Sequence, residues 1–102
     1  MTTITVIFTC FNRKEKTLQC IRSLSEGNKQ LAFSYVIVDD NSTDGTREAL
    51  EALKQEGTDL TLLSGTGSLF WAGGMRRGIA YAKEHTKTDY YLLVNDDVDF
   101  RP

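Results

Sequence analysis

The sequence contains a single proline, Pro102, and it is the last residue. No proline-rich linker, low-complexity stretch or internal repeat divides the rest of the chain. Cysteine is nearly as scarce. Cys10 and Cys20 stand in unrelated contexts without a CxxC spacing, and the lone histidine, His85, is distant from both. This argues against a zinc site and a disulfide-stapled secreted fold, and for two reduced thiols in a cytosolic protein. No apolar run approaches the roughly 20 residues that span a bilayer. The first residues already read as a strand, so no signal peptide is expected. Charge of one sign is also missing: the formal net charge is -2 and the basic residues are scattered. Binding a polyanion needs a basic stripe, so the sequence predicts no nucleic-acid partner and no anionic-membrane footprint of its own.

What is present fits one soluble domain of 102 residues, 40% hydrophobic and 25% charged. Four short segments read as strands: 3–9 (TITVIFT), 34–39 (SYVIVD), 59–64 (DLTLLS) and 90–94 (YYLLV). Their near-continuous apolar character suits a parallel sheet covered on both faces. Helical patterns alternate with them. Residues 14–26 carry Leu18, Ile21 and Leu24 on one stripe; 44–56 carry Ala49, Leu50 and Leu53, with Gly57 at the C-terminal cap. A third helix is expected from about Gly74 to Glu84, with Met75, Ile79 and Ala82 inward. This alternation predicts a doubly wound α/β domain.

In open α/β sheets ligands bind beyond the carboxyl ends of the strands, where strand order reverses. The polar clusters fall there: Thr9-Cys10-Phe11-Asn12-Arg13, then Asp39 to Thr46 (DDNSTDGT), then Asn95-Asp96-Asp97-Val98-Asp99. Three acids within four positions repel one another unless a cation sits among them, and carboxylates with open coordination suit Mg²⁺ or Mn²⁺. The same acids could equally form a solvated turn. In the second cluster Asp44 is expected to cap the following helix. That leaves Asp40 where a base or ribose would lie. A carboxylate there can accept the imide N–H of uracil or thymine, or the N1–H and amine of guanine. Phe11 could stack on a base or simply pack on the first strand. The stretch Gly65-Thr66-Gly67-Ser68-Leu69-Phe70-Trp71-Ala72-Gly73-Gly74 lacks the third glycine of a dinucleotide fingerprint and follows the third strand, so that motif is rejected. As a glycine-rich loop entering a helix it could still present N–H groups to a diphosphate, with Arg76 and Arg77 adding charge in the first helical turn.

Taken in order, VIFTCFNR, VIVDDNSTDGT, FWAGGMRRGIAYA and YYLLVNDDVDF resemble the family 2 glycosyltransferases of GT-A fold over essentially the whole chain. The resemblance implies an α/β, Rossmann-like, mostly parallel sheet with helices on both faces: the N-terminal nucleotide-diphospho-sugar-binding part of a glycosyltransferase. It implies that Thr9 and Phe11 line the base pocket, that Asp40 bonds the base and that Asp39 supports the loop. Asn95-Asp96-Asp97 would stand at the family's DxD motif, with Asp96 facing the ribose and Asp97 binding Mn²⁺ or Mg²⁺. Gly74 and Arg77 would approach the sugar-diphosphate. Asn95 departs from the usual first Asp.

The implied activity is metal-dependent, inverting transfer of a sugar, with UDP or dTDP donors favoured, to a glycan, lipid-linked or protein acceptor hydroxyl. Its usual setting is polysaccharide biosynthesis, in the cytoplasm or peripherally at the inner face of the membrane. The family carries its general base after the DxD motif, so that residue is expected beyond Pro102. The chain is read as truncated, inactive alone and prone to self-association. A non-catalytic nucleotide- or metal-binding module is the alternative. A nucleotidylyltransferase is set aside because Thr9-Cys10-Phe11-Asn12 is no glycine-rich loop. A phosphoacceptor receiver is set aside because its acids would follow the first and third strands.

Overall fold

A computed structural model describes residues 2–27 and 30–94, with Phe70 and Trp71 described by their backbone alone. Seven elements alternate: β1 (Thr2–Cys10), α1 (Lys14–Gly27), β2 (Leu31–Asp39), α2 (Thr46–Gln55), β3 (Leu60–Ser64), α3 (Phe70–His85) and β4 (Tyr90–Leu93). The strands form one parallel sheet in the order β3-β2-β1-β4. The chain therefore steps outward from β1 through β2 to β3 and returns to the far side of β1. The winding reverses between β1 and β4, which marks the crevice where such sheets bind ligands.

The period-two alternation of a strand assigns each side chain of β1 and β2 to one face. Val6, Phe8, Cys10, Tyr35 and Ile37 join Cys20, Ile21 and Leu24 of α1 and Leu50 of α2 in one core. On the opposite face Ile7 and Val36 meet Met75 and Ala82 of α3, with Ile79 and Tyr81 packed alongside. The expected layering, helices on both faces of a parallel sheet, is what the chain adopts.

Three details differ from the sequence expectation. The buried face of α1 is Thr17, Cys20, Ile21 and Leu24, with Leu18 only half-buried, so the inward stripe is rotated from the expected Leu18-Ile21-Leu24 line. Next, β4 does not behave as a buried strand: Tyr90, Tyr91 and Leu93 are 65%, 46% and 50% exposed. It is the outer strand on its side of the sheet, and among the described residues only β1 pairs with it.

The largest difference is at α3, which begins at Phe70, four residues before the expected start at Gly74, so residues 70–73 are helical rather than part of the loop. Glycine ordinarily weakens a helix, but here it permits contact. A Cβ on Gly74 would overlap the Thr9 side chain, and one on Gly78 would lie 2.7 Å from Ile7 Cγ2. These two positions let α3 lie directly on β1.

Both ends of α2 are capped by residues beside them in the chain. After α2, Gly57 takes φ +106° and donates to Lys54 O while Thr58 N bonds Leu53 O, the expected glycine cap. At the start of α2 the cap position is Gly45 rather than Asp44. Asp44 still serves that end, because its Oδ1 accepts the Thr46 N–H at 3.1 Å and the Thr46 hydroxyl.

Candidate functional site at the carboxyl edge of the sheet

The loops after β1, β2 and β3 meet at the carboxyl edge and are laced together by side chain-to-backbone hydrogen bonds. Asn12 occupies left-handed backbone space at φ 50°, which asparagine tolerates better than most residues. From there its Oδ1 accepts the Thr43 N–H at 2.7 Å, and its own N–H donates to Ser42 Oγ at 2.9 Å. Asp44 Oδ2 accepts the Lys14 N–H at 3.1 Å. One carboxylate thus satisfies amides at the starts of both α1 and α2, where negative charge also complements the helix dipoles. Its pKa is held below the usual carboxylate value chiefly by the Thr46 hydroxyl, against the opposing effect of burial and with further help from the backbone N–H donors.

The two adjacent acids at the end of β2 are almost wholly buried, Asp39 at 1% and Asp40 at 3% exposed. Asp39 Oδ1 accepts the Ser42 N–H at 3.3 Å and faces Cys10 Sγ at 3.9 Å. Its Oδ2 has no hydrogen-bond donor among the described residues, and the nearest cation is Arg47, 3.9 Å away. Asp39 therefore shapes the β2-α2 turn. Asp40 reaches the third loop: its Oδ1 accepts the Gly67 N–H at 2.8 Å and its Oδ2 the Leu69 N–H at 3.1 Å. Gly65 N donates to Asp39 O at 2.8 Å, and Ser68 N to Thr66 Oγ1 at 3.2 Å. The glycine-rich loop thus commits the amides of Gly65, Gly67 and Leu69 to the end of β2 and that of Ser68 to its own Thr66, where an open phosphate cradle would leave them turned out.

Of the residues expected to form the site, Thr9, Asp40 and Gly74 are brought together at this edge. Thr9 lies under Gly74, and its buried Oγ1 has no partner among the described residues. Phe11 follows β1 at the same edge and is 50% exposed. Arg76 and Arg77 fall in the second turn of α3, not the first as expected. They line an open groove of about 460 Å³ with Leu63, Tyr81, Glu84 and His85, apart from the loop cluster. Asn95, Asp96, Asp97 and Asp99 lie outside the described residues. Among the described residues no group of three or more His, Cys, Asp or Glu side chains could hold a metal ion. No described helix is long and apolar enough to cross a membrane.

Sequence reading missed the lacing roles of Asn12 and Asp44 and the loop contacts of Asp40. Asn12 carried a signal, since asparagine in a loop is enriched in left-handed conformations. The partners of Asp40 carried none, because they are 27 and 29 residues away.

A parallel sheet with a topological switch, bordered there by buried acids and tight loops, defines a Rossmann-like α/β protein. The chain belongs to the glycosyl transferase family 2, whose model matches residues 5–102. Solved structures agree in fold. The Pyrobaculum calidifontis mannosyltransferase PcManGT, solved in complex with GDP-Man and Mn²⁺, is 23% identical with a TM-score of 0.72 over 94% of this chain and 28% of its own. S. aureus TarS 1-349 in complex with UDP is 20% identical with a TM-score of 0.66 over 99% of this chain and 29% of its own. The chain thus spans under a third of the length of these proteins. No curated protein sequence matches it.

Proposed function

We propose that this chain is the donor-binding part of a glycosyltransferase and holds the nucleoside diphosphate of an activated sugar at the carboxyl edge between β1 and β4. One observation carries the reading: the switch between these strands coincides with Thr9, whose buried hydroxyl lacks a partner among the described residues. Phe11, half exposed beside it, supplies an aromatic face for a base.

The acids after β4 complete the proposed site. Val94 N donates to Ile7 O at 3.2 Å, so the chain is tied to β1 two positions short of Thr9 just before Asn95. We assign Asp96 to the ribose and Asp97 to a divalent cation, Mn²⁺ or Mg²⁺, for which a carboxylate is a suitable hard ligand. When bound, the cation supplies charge neutralisation at the leaving diphosphate. Arg77 is left outside the proposed pocket, because it lines the separate groove beside Leu63. UDP and dTDP are the donors to test first, although the two amides on Asp40 already occupy part of the carboxylate expected to choose between bases.

In the whole protein the reaction would be inverting transfer to an acceptor hydroxyl, with a general base outside these residues. Support for this comes from the family and from the nucleotide complexes of the two structural relatives.

Calorimetric titration of UDP, dTDP, GDP and CDP, each with and without Mn²⁺, tests the reading. Metal-dependent binding of one nucleotide is expected, lost in Asp97→Ala. A folded chain that binds none of the four with Mn²⁺ present would overturn it.

A further inference from the structure

We propose that the outer groove of α3 is a contact between two copies of this chain. The two α3 helices pack about a two-fold axis at Ala80, and Arg76 of each copy faces Glu84 of the partner subunit. The inference is independent of the donor-site reading above.

α3 lies over β1 and β2, so a groove remains between it and Leu63 of the outermost strand, β3. Two rows of α3 residues wall that groove, each at the i, i+4 spacing that aligns side chains on a helix. Arg77, Tyr81 and His85 form the first row, with the Tyr81 and His85 rings 4.3 Å apart. Arg76, Ala80 and Glu84 form the second, and all three are exposed. Half-buried Leu63 and Tyr81 supply apolar surface between the charges.

The second row reads cation, alanine, anion. Turned end for end it reads anion, alanine, cation, so it is complementary to a copy of itself. A two-fold contact sets one patch against the same patch and demands this property. Packing with the i±4 rows of two helices side by side is the commonest helix-on-helix arrangement, and alanine at the axis permits close approach.

The two charges are free to pair. Arg76 has no ion-pair partner among the described residues, and Glu84 meets only the adjacent His85, at 3.7 Å. Helix stability does not explain Glu84, which lies in the last turn of α3, where the dipole favours cations such as Lys83. The rival surface is β4, where Tyr90, Tyr91 and Leu93 are exposed at the other end of the sheet. Those three residues carry no charge that would fix the orientation of a partner. A contact confined to one helix and a strand edge is small, so the dimer is expected to be weak and concentration-dependent.

Sedimentation velocity of the full chain over a concentration series tests the proposal, using wild type, Arg76→Glu, Glu84→Arg and an equimolar mixture of the two variants. The wild type should dimerise reversibly, and less tightly as NaCl rises, because exposed ion pairs are screened. Each reversal turns two attractions into two repulsions and should weaken dimerisation by about tenfold or more. In the mixture one variant brings two acids and the other two bases. Heterodimers, followed through a label on one variant, should therefore form at about the wild-type concentration. Neither reversal opposes the helix dipole, so melting temperatures should stay near wild type.

A wild type that remains monomeric at every concentration overturns the proposal. So does self-association that both single reversals leave unchanged, which would point to β4. Weakening in both variants without recovery in the mixture also overturns it, because opposite charges would then not meet across the axis. If a variant fails to fold, the wild-type salt response decides. Association that NaCl does not weaken is not this contact.

Discussion

The two edges of the sheet use the same residue type in opposite ways. At the amino edge Asp89 and Asp59, each just before a strand, tie that strand to its neighbour. Asp89 Oδ2 accepts the Thr3 N–H at 2.9 Å while its N–H donates to Thr3 O at 3.1 Å, and Asp59 Oδ2 accepts the Ser34 hydroxyl at 2.7 Å. These acids are exposed. At the carboxyl edge Asp39 and Asp40 are buried, and Asn12, Asn41, Gly45 and Gly67 all have positive φ. Two buried oxygens there, Thr9 Oγ1 and Asp39 Oδ2, lack a hydrogen-bond donor or acceptor among the described residues. One edge pairs its acids strand to strand. The other concentrates unusual backbone and unmatched polar atoms, the pattern expected where a protein is built for a ligand and not for stability alone.

Substitutions can break this comparison, and the largest effect is expected where α3 touches β1. Gly74→Ala should destabilise the fold by roughly 1–3 kcal/mol, the usual cost of overpacking a tight contact. Denaturant unfolding would show it, and a loss below the error of that measurement would mean that α3 does not lie on Thr9 as described.

Lacing at the carboxyl edge comes next. Asn12→Ala removes the acceptor of the Thr43 N–H and puts alanine in left-handed space, so a loss of about 1 kcal/mol is expected. Asp89→Ala, at the exposed edge, should lower the melting temperature less. The reverse order would erase the distinction between the two edges.

The smallest effect is on acid stability, and it touches both edges. Asp44 and Asp89 each have a folded-state pKa held below the ordinary carboxylate value, Asp44 mainly by the Thr46 hydroxyl and Asp89 by the Thr3 N–H and hydroxyl. A depressed folded pKa contributes stability that is fully present above the unfolded value and is lost as pH falls through the folded one. Asp44→Asn and Asp89→Asn should therefore each flatten the loss of stability on the acid side of pH 4 and leave the slope near neutrality unchanged. Urea midpoints measured across that range would show it.

Local signals in the chain were enough for the alternation of elements. The β-branched runs of β1 and β2 and the glycine at position 57 mark their elements through nearest-neighbour chemistry. The same logic failed at α3. Residues up to Gly73 read as loop and the helix as starting at about Gly74, yet α3 begins at Phe70, and contact of Gly74 with Thr9, far away in sequence, makes glycine the residue that fits there. It failed again at β4, whose apolar run looked buried until the strand order placed it outermost.

By itself, then, the sequence determined the seven elements, their parallel arrangement, the placing of the first two polar clusters at the carboxyl ends of β1 and β2 and the family to which the chain belongs. Each depends on periodicity, turn chemistry or motif order, all of them properties of neighbouring residues. Only the tertiary structure decided that Asp40 holds the third loop, that Asp44 serves two helices, and that Arg77 lines a groove with Leu63 and Tyr81. Those outcomes depend on atoms meeting across 27 to 30 residues of chain, or on which way a helix turns its side chains once packed. No local pattern encodes such distances.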